Sequence, residues 1–583
     1  MYNRRILPKA GEIMKRFLIF LILIALCISL LPSALAEDTL LQQDEKYAVL
    51  SALMEADIAT VREAILCGLI SCEELTAFYL ERIETYNEPY NCFITICDDA
   101  LEQARERDRQ LAEGNAEGSM FGIPIVVKDN IHVAGYYTTN GEKFSKSEIS
   151  TKTATVVQNL IDEGAIILAK ANMSYRANRA TSSISRAAGE VKNAYNIYLS
   201  PGGSSGGSAA ATALNFCMAG LGTDTRSSLR IPAALNGCVA LRTTVGLLKR
   251  DNIIIVASRR DTPGAITRTV RDQAILLDAM VGGGAYEENL NPNVLEGMRI
   301  GILTELADRS GNKEIKAAFA NAVEELRACG AEVIEVSLPE IFTLMKSTDG
   351  QRDAALFDEF NRIYEQWLRD NNIRAVIFPS YLNEPVYTGT DANGVKWDPD
   401  EQSWINNAPV LSPCTQCPEI TVPIGFHSRG AGIGMEIAAL RGQEQLLLDI
   451  AYSYTLRYDH REAPEAAADL YADYHVSDLD QLISDYQAGI WPVPPTEPTT
   501  EPSTEPTTEP TTAPTTVPPT QATEATEIPA TTVPTVVVDP VPKGNDQLLL
   551  YAGGGIAAAM IIAVPTVILL RRKKKTHSEP ILQ

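Results

Sequence analysis

Ser200-Pro201-Gly202-Gly203-Ser204-Ser205-Gly206-Gly207-Ser208 is the stretch on which the reading of this chain turns. Gly222-Thr223-Asp224-Thr225-Arg226-Ser227-Ser228-Leu229-Arg230-Ile231-Pro232 follows it closely. Gly and Ser at this density suit a flexible linker, but linkers join domains and lack an apolar continuation. Here Ala209-Ala210-Ala211-Thr212-Ala213-Leu214 follows at once and reads as a buried helix of small residues. Glycines before such a helix let the backbone turn tightly and approach another segment closely. No Lys follows them, as a phosphate loop requires. What remains is a loop that presents serine hydroxyls.

Around this loop the chain reads as one large domain. Gly122-Ile123-Pro124-Ile125-Val126-Val127 is a short β-branched run, the pattern of a buried strand, and it ends in Lys128-Asp129-Asn130. Residues of roughly 45 to 115 have helical spacing (Leu66, Leu69, Ile70, Leu75, Phe78, Tyr79, Ile83). Further strand-like runs at Ala165 to Leu168, Met298 to Leu303, Val333 to Val336, Ala375 to Pro379 and Ile420 to Ile424 alternate with helical patterns. That alternation predicts an α/β layered domain over residues 37–490.

The flanks are of another kind. Met14-Lys15-Arg16, the apolar run Phe17 to Leu31 and Ala34-Leu35-Ala36 predict an export signal over residues 1–36, cleaved before Glu37. From Trp491 the chain turns to Thr496-Glu497-Pro498-Thr499 and its repeats, predicting an extended, disordered Thr/Pro/Glu stalk over 491–546. Leu548 to Leu570 is apolar enough to span a bilayer, so 547–570 reads as a transmembrane helix. Arg571-Arg572-Lys573-Lys574-Lys575 then marks 571–583 as a basic cytoplasmic tail. These segments predict a single-pass protein of the cell membrane with its large domain outside. Val541-Pro542-Lys543-Gly544-Asn545-Asp546 resembles the sortase sorting signal of Gram-positive bacteria. It lacks the threonine at which sortase cuts, which favours a retained span over attachment to the wall.

A formal net charge of −24 opposes a nucleic-acid partner. Of ten cysteines, Cys27 lies in the export segment, and the other nine are scattered, so no disulfide framework can be read. Cys414-Thr415-Gln416-Cys417 has metal or redox spacing, but no second pair or His cluster accompanies it. Ordinary buried small residues are the better reading.

Two serine chemistries fit the loop. Gly203-Ser204-Ser205-Gly206-Gly207 matches a nucleophile elbow with Ser205 at its centre, but Leu199-Ser200-Pro201-Gly202 is a poor strand to precede one. Alternatively a neutral lysine activates a serine, since burial disfavours the ammonium form. Lys128, at the end of an apolar strand, is placed for that, or is simply a solvated strand-end lysine.

The combination decides. Phe121 to Ile131, Thr138-Thr139-Asn140-Gly141, Lys170-Ala171-Asn172-Met173-Ser174, Asn193-Ala194-Tyr195, the Gly/Ser loop, Gly222 to Pro232, Asp261 to Val270 and Cys417 to Pro423, in that order, resemble the amidase signature family. The resemblance covers about residues 50 to 470. It implies an α/β/α sandwich on a large mixed sheet, and a hydrolase of small-molecule amides that uses no metal or other cofactor. It implies Ser228 as nucleophile, Ser204 on a cis peptide as the bridging serine, and Lys128 as the base. It also implies oxyanion or substrate contacts at Asp224, Thr225, Arg226, Ser227 and Ser205. The family's tRNA amidotransferases share these motifs, but the export signal and acidic charge oppose that role. A surface binding module on a catalytically weakened amidase fold is the rival reading. Arg226-Ser227 stands where the family usually has two glycines. If that loop needs positive φ, the exchange strains it by ~1–2 kcal/mol.

Overall fold

The computed structural model describes residues 46–348, 353–383, 385–390, 396–397, 407–464 and 479–488. The predicted export signal, stalk, transmembrane helix and basic tail lie outside these residues. Among the described residues no helix is long and apolar enough to cross a membrane.

The described residues build one eleven-stranded sheet. Its strands, in chain order, are β1 (Phe93–Ile96), β2 (Pro124–Lys128), β3 (Ile166–Ala171), β4 (Ala219–Asp224), β5 (Val239–Arg242) and β6 (Thr262–Thr267). They continue with β7 (Arg299–Leu303), β8 (Glu332–Val336), β9 (Ala375–Pro379), β10 (Glu419–Phe426) and β11 (Gly432–Ala438). The spatial order is β1-β3-β2-β4-β6-β5-β10-β11-β9-β7-β8. β2 runs parallel to β3 and β4, and β7 parallel to β8 and β9, while the remaining pairs are antiparallel. The sheet is therefore mixed, as the resemblance implies. Every residue of β2, β3, β4, β6, β9 and β11 is buried. Successive side chains point to opposite faces, so both faces of the sheet are covered, which is the layered arrangement.

The small-residue helix forms where the sequence places it, as α1 (Gly206–Ala213), buried along its whole length. Small side chains let it sit against the backbone of neighbouring segments. A Cβ on Gly207 would come within 2.2 Å of the Asn172 carbonyl oxygen. Its polar residues are satisfied locally: Ser208 Oγ donates to the Leu221 carbonyl at 2.8 Å, and Thr212 Oγ1 to the Ser208 carbonyl at 2.9 Å. The helical reading of residues 45 to 115 holds for Ile58–Leu66, Cys72–Tyr86 and Ala100–Ala112, the second opened by a Ser71–Glu74 capping box. It missed β1, four residues between two helices. Cys414 and Cys417 belong to an apolar cluster with Leu303, Phe360, Tyr364 and Phe378. Both are free thiols, and burial pushes Cys417 up to about 12, away from the thiolate.

Candidate active site

Parallel pairing of β2 with β4 brings Lys128, at the end of one strand, beside Thr223 and Asp224 at the end of the other. The Gly/Ser loop closes over both. Lys128 is fully buried, and its Nζ lies 2.8 Å from Ser204 Oγ, 2.8 Å from Ser205 Oγ and 2.9 Å from Thr223 Oγ1. The Thr223 carbonyl is a longer contact at 3.4 Å. Burial pulls the ammonium down to about 7, against the negative charges of Asp224 and Asp261. The peptide between Gly203 and Ser204 is cis.

Three family motifs converge behind this lysine. Thr139 donates its N–H (2.9 Å) and its hydroxyl to Asp129, and Lys170 pairs with the other oxygen of the same carboxylate at 3.1 Å. The Ser174 N–H donates to the Ser204 carbonyl at 3.2 Å, so the segment after β3 holds the serine loop from behind. Asn130 Nδ2 donates to Thr223 Oγ1 at 3.1 Å. Thr223 is a hydroxyl of the site that the sequence reading left out. Its signal is the alternation along β4, which turns Thr223 to the side away from Asp224.

Ser228 lies in the loop between β4 and the short helix α2 (Arg230–Leu235). The Ser205 N–H donates to its carbonyl at 3.1 Å, joining the two serine loops. Ser228 is 7% exposed and reaches a cleft of about 860 Å³, whereas Ser204 and Lys128 are wholly buried. Thr225, Arg226 and Ser227 line the same cleft. Neither Arg226 nor Ser227 has positive φ, so the loop accepts them without the backbone strain that two replaced glycines suggest. Positive φ falls instead on Arg176 and Ala177, with Ala177 in the cleft wall. Asp261 accepts N–H groups from Val256 (2.5 Å) and Ala257 (3.1 Å) and a bond from Thr225, clamping the opposite wall to the serine loop. A separate cavity of about 560 Å³, lined by His132, Thr139 and Asn140, contains none of the three serines.

Two residues read as substrate-side are engaged elsewhere. Asp224 accepts from Arg230 Nε at 3.2 Å, Arg242 at 3.0 Å and the Leu229 N–H at 3.3 Å. Burial pushes its carboxyl up, but the two guanidinium groups outweigh that and hold it low. Arg230 also reaches Glu419 and Glu436, and donates to the Arg226 carbonyl at 2.8 Å. Asp224 is thus the keystone of a buried ionic network under the loop and does not line the cleft. Ser205 likewise faces Lys128 rather than the cleft.

The fold and the sequence both match known proteins. The Amidase family pattern matches residues 74–348. This chain belongs to the amidase family. It is 36% identical over 455 residues to a glutamyl-tRNA(Gln) amidotransferase chain of Thermosynechococcus vestitus, covering 66% of this chain and 94% of that relative. Against the corresponding chain of Chlorobium chlorochromatii it is 35% identical over 317 residues, and it spans 66% of that relative's length. The solved native peptide amidase of Stenotrophomonas maltophilia superposes with a TM-score of 0.64 at 27% identity, covering 72% of this chain and all of that one.

Proposed function

We infer that this protein is an amidase that cleaves a carboxylic amide through Ser228, with Ser204 as proton bridge and Lys128 as base. The observation that supports it most is Lys128 itself. It is a wholly buried amine, pulled down to about 7, whose hydrogen-bond partners are hydroxyl and carbonyl oxygens. A neutral amine has two N–H donors and one lone pair, while three hydroxyls surround it. One hydroxyl can therefore donate to Nζ; Ser205 Oγ already donates to the Thr223 carbonyl at 3.3 Å, and the relay requires the lone pair to face Ser204 Oγ.

In the proposed relay Lys128 takes the Ser204 proton as Ser204 takes that of Ser228, whose oxygen attacks the amide carbon. Backbone N–H groups from Thr225 to Ser228 stabilise the oxyanion, at about 3 kcal/mol per donor in comparable sites. The relay runs backwards to protonate the leaving amine, and water resolves the acyl-enzyme. The predicted export signal and anchor put this chemistry at the outer face of the cell membrane. The amidotransferase relatives raise a second reading, a glutaminase that serves charged tRNA. The export signal and the acidic charge weigh against it.

Fluorophosphonate labelling of the full chain tests the assignment. Label is expected on the wild type and on Ser205→Ala, and none on Ser228→Ala. Loss in Ser205→Ala with retention in Ser228→Ala would return the nucleophile to the elbow serine. A folded chain that takes no label and hydrolyses no small amide would point to a binding module.

A further inference from the structure

Asp224, Arg230, Arg242, Glu419 and Glu436 meet beneath the loop that carries Ser228, and all five side chains are wholly buried. Arg230 spends its full donor set there. Nε donates to Asp224 at 3.2 Å, and Nη1 to Glu419 and, at 3.1 Å, to Glu436. Nη2 donates to the Arg226 carbonyl at 2.8 Å and the Ala408 carbonyl at 2.9 Å. A guanidinium has five N–H groups, so none is left over. Arg242 meets Asp224 from the other side at 3.0 Å and donates to Ser412 Oγ at 2.9 Å. Arg260 gives this cluster its carbonyl, through Arg242, and turns its guanidinium to the Thr348 carbonyl.

The charges in this cluster do not cancel. Two guanidinium groups stay protonated, so three ionised carboxyls would leave one buried negative charge unmatched. Lys128 and Asp261 also face it from the Asp224 side; they offset each other when both are ionised, and a neutral Lys128 deepens the excess. Tyr364 and Cys417 face Glu419, and burial pushes both up, so neither brings a charge. Both arginines hold Asp224 low, which leaves Glu419 and Glu436. These lie diagonally across β10 and β11, since Glu436 is opposite Thr421, and they share one Arg230 nitrogen. Glu436 Oε1 is buried and accepts from no N–H or hydroxyl group. The two carboxyl groups are bonded to each other, a contact that needs a proton between them. Burial pushes Glu419 well up; Arg230 opposes the rise and Glu436 adds to it.

We propose that Glu419 and Glu436 share one proton in the folded protein, forming a singly charged acid pair that positions Arg230 and, through the Arg226 carbonyl, the loop that carries Ser228. Its bearing on catalysis rests on the hydrolase reading above, whereas the shared proton stands apart from it. On folding, two carboxylates take up one proton from solvent, and no bond to carbon changes.

The test compares the full-length wild type with Glu436→Gln and Glu436→Leu. Gln keeps an acceptor for Arg230 and brings its own N–H in place of the shared proton. The infrared difference between wild type and Glu436→Gln at about pH 7 should contain the carbonyl band of a protonated carboxylic acid. The unfolded chain has given up that proton by about pH 5.5. From there to about pH 7 the wild type's folded-to-unfolded ratio should fall about tenfold per pH unit relative to Glu436→Gln, a comparison in which Lys128 cancels. Glu436→Gln should keep amide-hydrogen exchange over residues 224–230, and fluorophosphonate labelling, within about threefold of wild type. Glu436→Leu should speed that exchange and slow labelling about tenfold, because one Arg230 N–H loses its acceptor. No acid band in the difference, or equal pH slopes, overturns the proposal. So does exchange in a folded Glu436→Leu protein equal to that of the wild type. Band, slope and exchange as expected, with no label on any of the three proteins, support the pair and remove the hydrolase.

Discussion

The Asp129 carboxylate lies 3.1 Å from the Lys170 ammonium, although Asp129 is the immediate neighbour of Lys128 in the chain. Both lysines are wholly buried, yet one has a carboxylate and the other is surrounded by hydroxyls. A buried ion pair on one side and a depressed amine on the other give neighbouring lysines opposite jobs.

Lys170→Met leaves the Asp129 charge buried without its partner. Removing one member of such a pair costs about 3–5 kcal/mol. Urea unfolding checks this, and a loss under about 1 kcal/mol would show that Asp129 does not depend on Lys170.

For Lys128 the prediction concerns pH and rate. In the proposed relay the base is the neutral amine, so kcat/KM should rise as pH increases through about 7 and then level off. A profile flat from pH 5 to 9 would remove Lys128 from the proton path.

The same lysine links stability to pH. Its folded-state value is depressed to about 7 from an ordinary 10.5, so between these values the unfolded chain binds the extra proton. Stability therefore rises with pH across that window, and the burial penalty is full below about pH 7. Lys128→Met should abolish turnover yet raise stability by about 2–4 kcal/mol at pH 6, an advantage that fades by about pH 10. Denaturation of both proteins at the two pH values decides it. An equal difference at both would mean that the lysine stays charged inside.

Ala177 has φ +53 directly after Arg176 at φ +54, two left-handed residues in succession beside the cleft. Glycine adopts this region without the Cβ clash, so Ala177→Gly should gain about 1 kcal/mol. A lowered melting temperature would contradict this.

The parts of the fold legible in the sequence are those whose side chains do the packing. β2 and β9 stand out as β-branched or aromatic runs, and β3, β7, β8 and β10 can be found within a few residues. β4 and β6 cannot, because Ala219-Gly220-Leu221-Gly222 and Thr262-Pro263-Gly264 look like turns. They are central strands because their neighbours press on their backbone: a Cβ at Gly264 would lie 2.5 Å from Leu229 Cδ2, and one at Gly222 would lie 2.7 Å from Ser205 Oγ. The Gly and Pro that disguise these strands make room for the serine loops. Of the candidate site, the Lys128–Ser204 contact is legible through the family motifs. The ionic network around Asp224 is not, because Arg242, Glu419 and Glu436 stand far from it in sequence and only strand pairing unites them.

The order of the strands has a consequence for how the molecule is made. β5 meets β10, a strand about 180 residues later, and β9 joins the sheet only through β7 and β11. While synthesis passes residues 243–411, Arg230 and Arg242 have been made, but the Glu419 and Ser412 that receive them have not. Pairing over such separations is slow and leaves an open strand edge meanwhile. The nascent chain thus holds two arginines and the open outer edge of β5 until its last strands emerge. A polypeptide cut after residue 348 would contain Lys128, Ser204 and Ser228 and the six adjoining strands β1 to β6, but not the Glu419, Glu436 and Ser412 that receive Arg230 and Arg242.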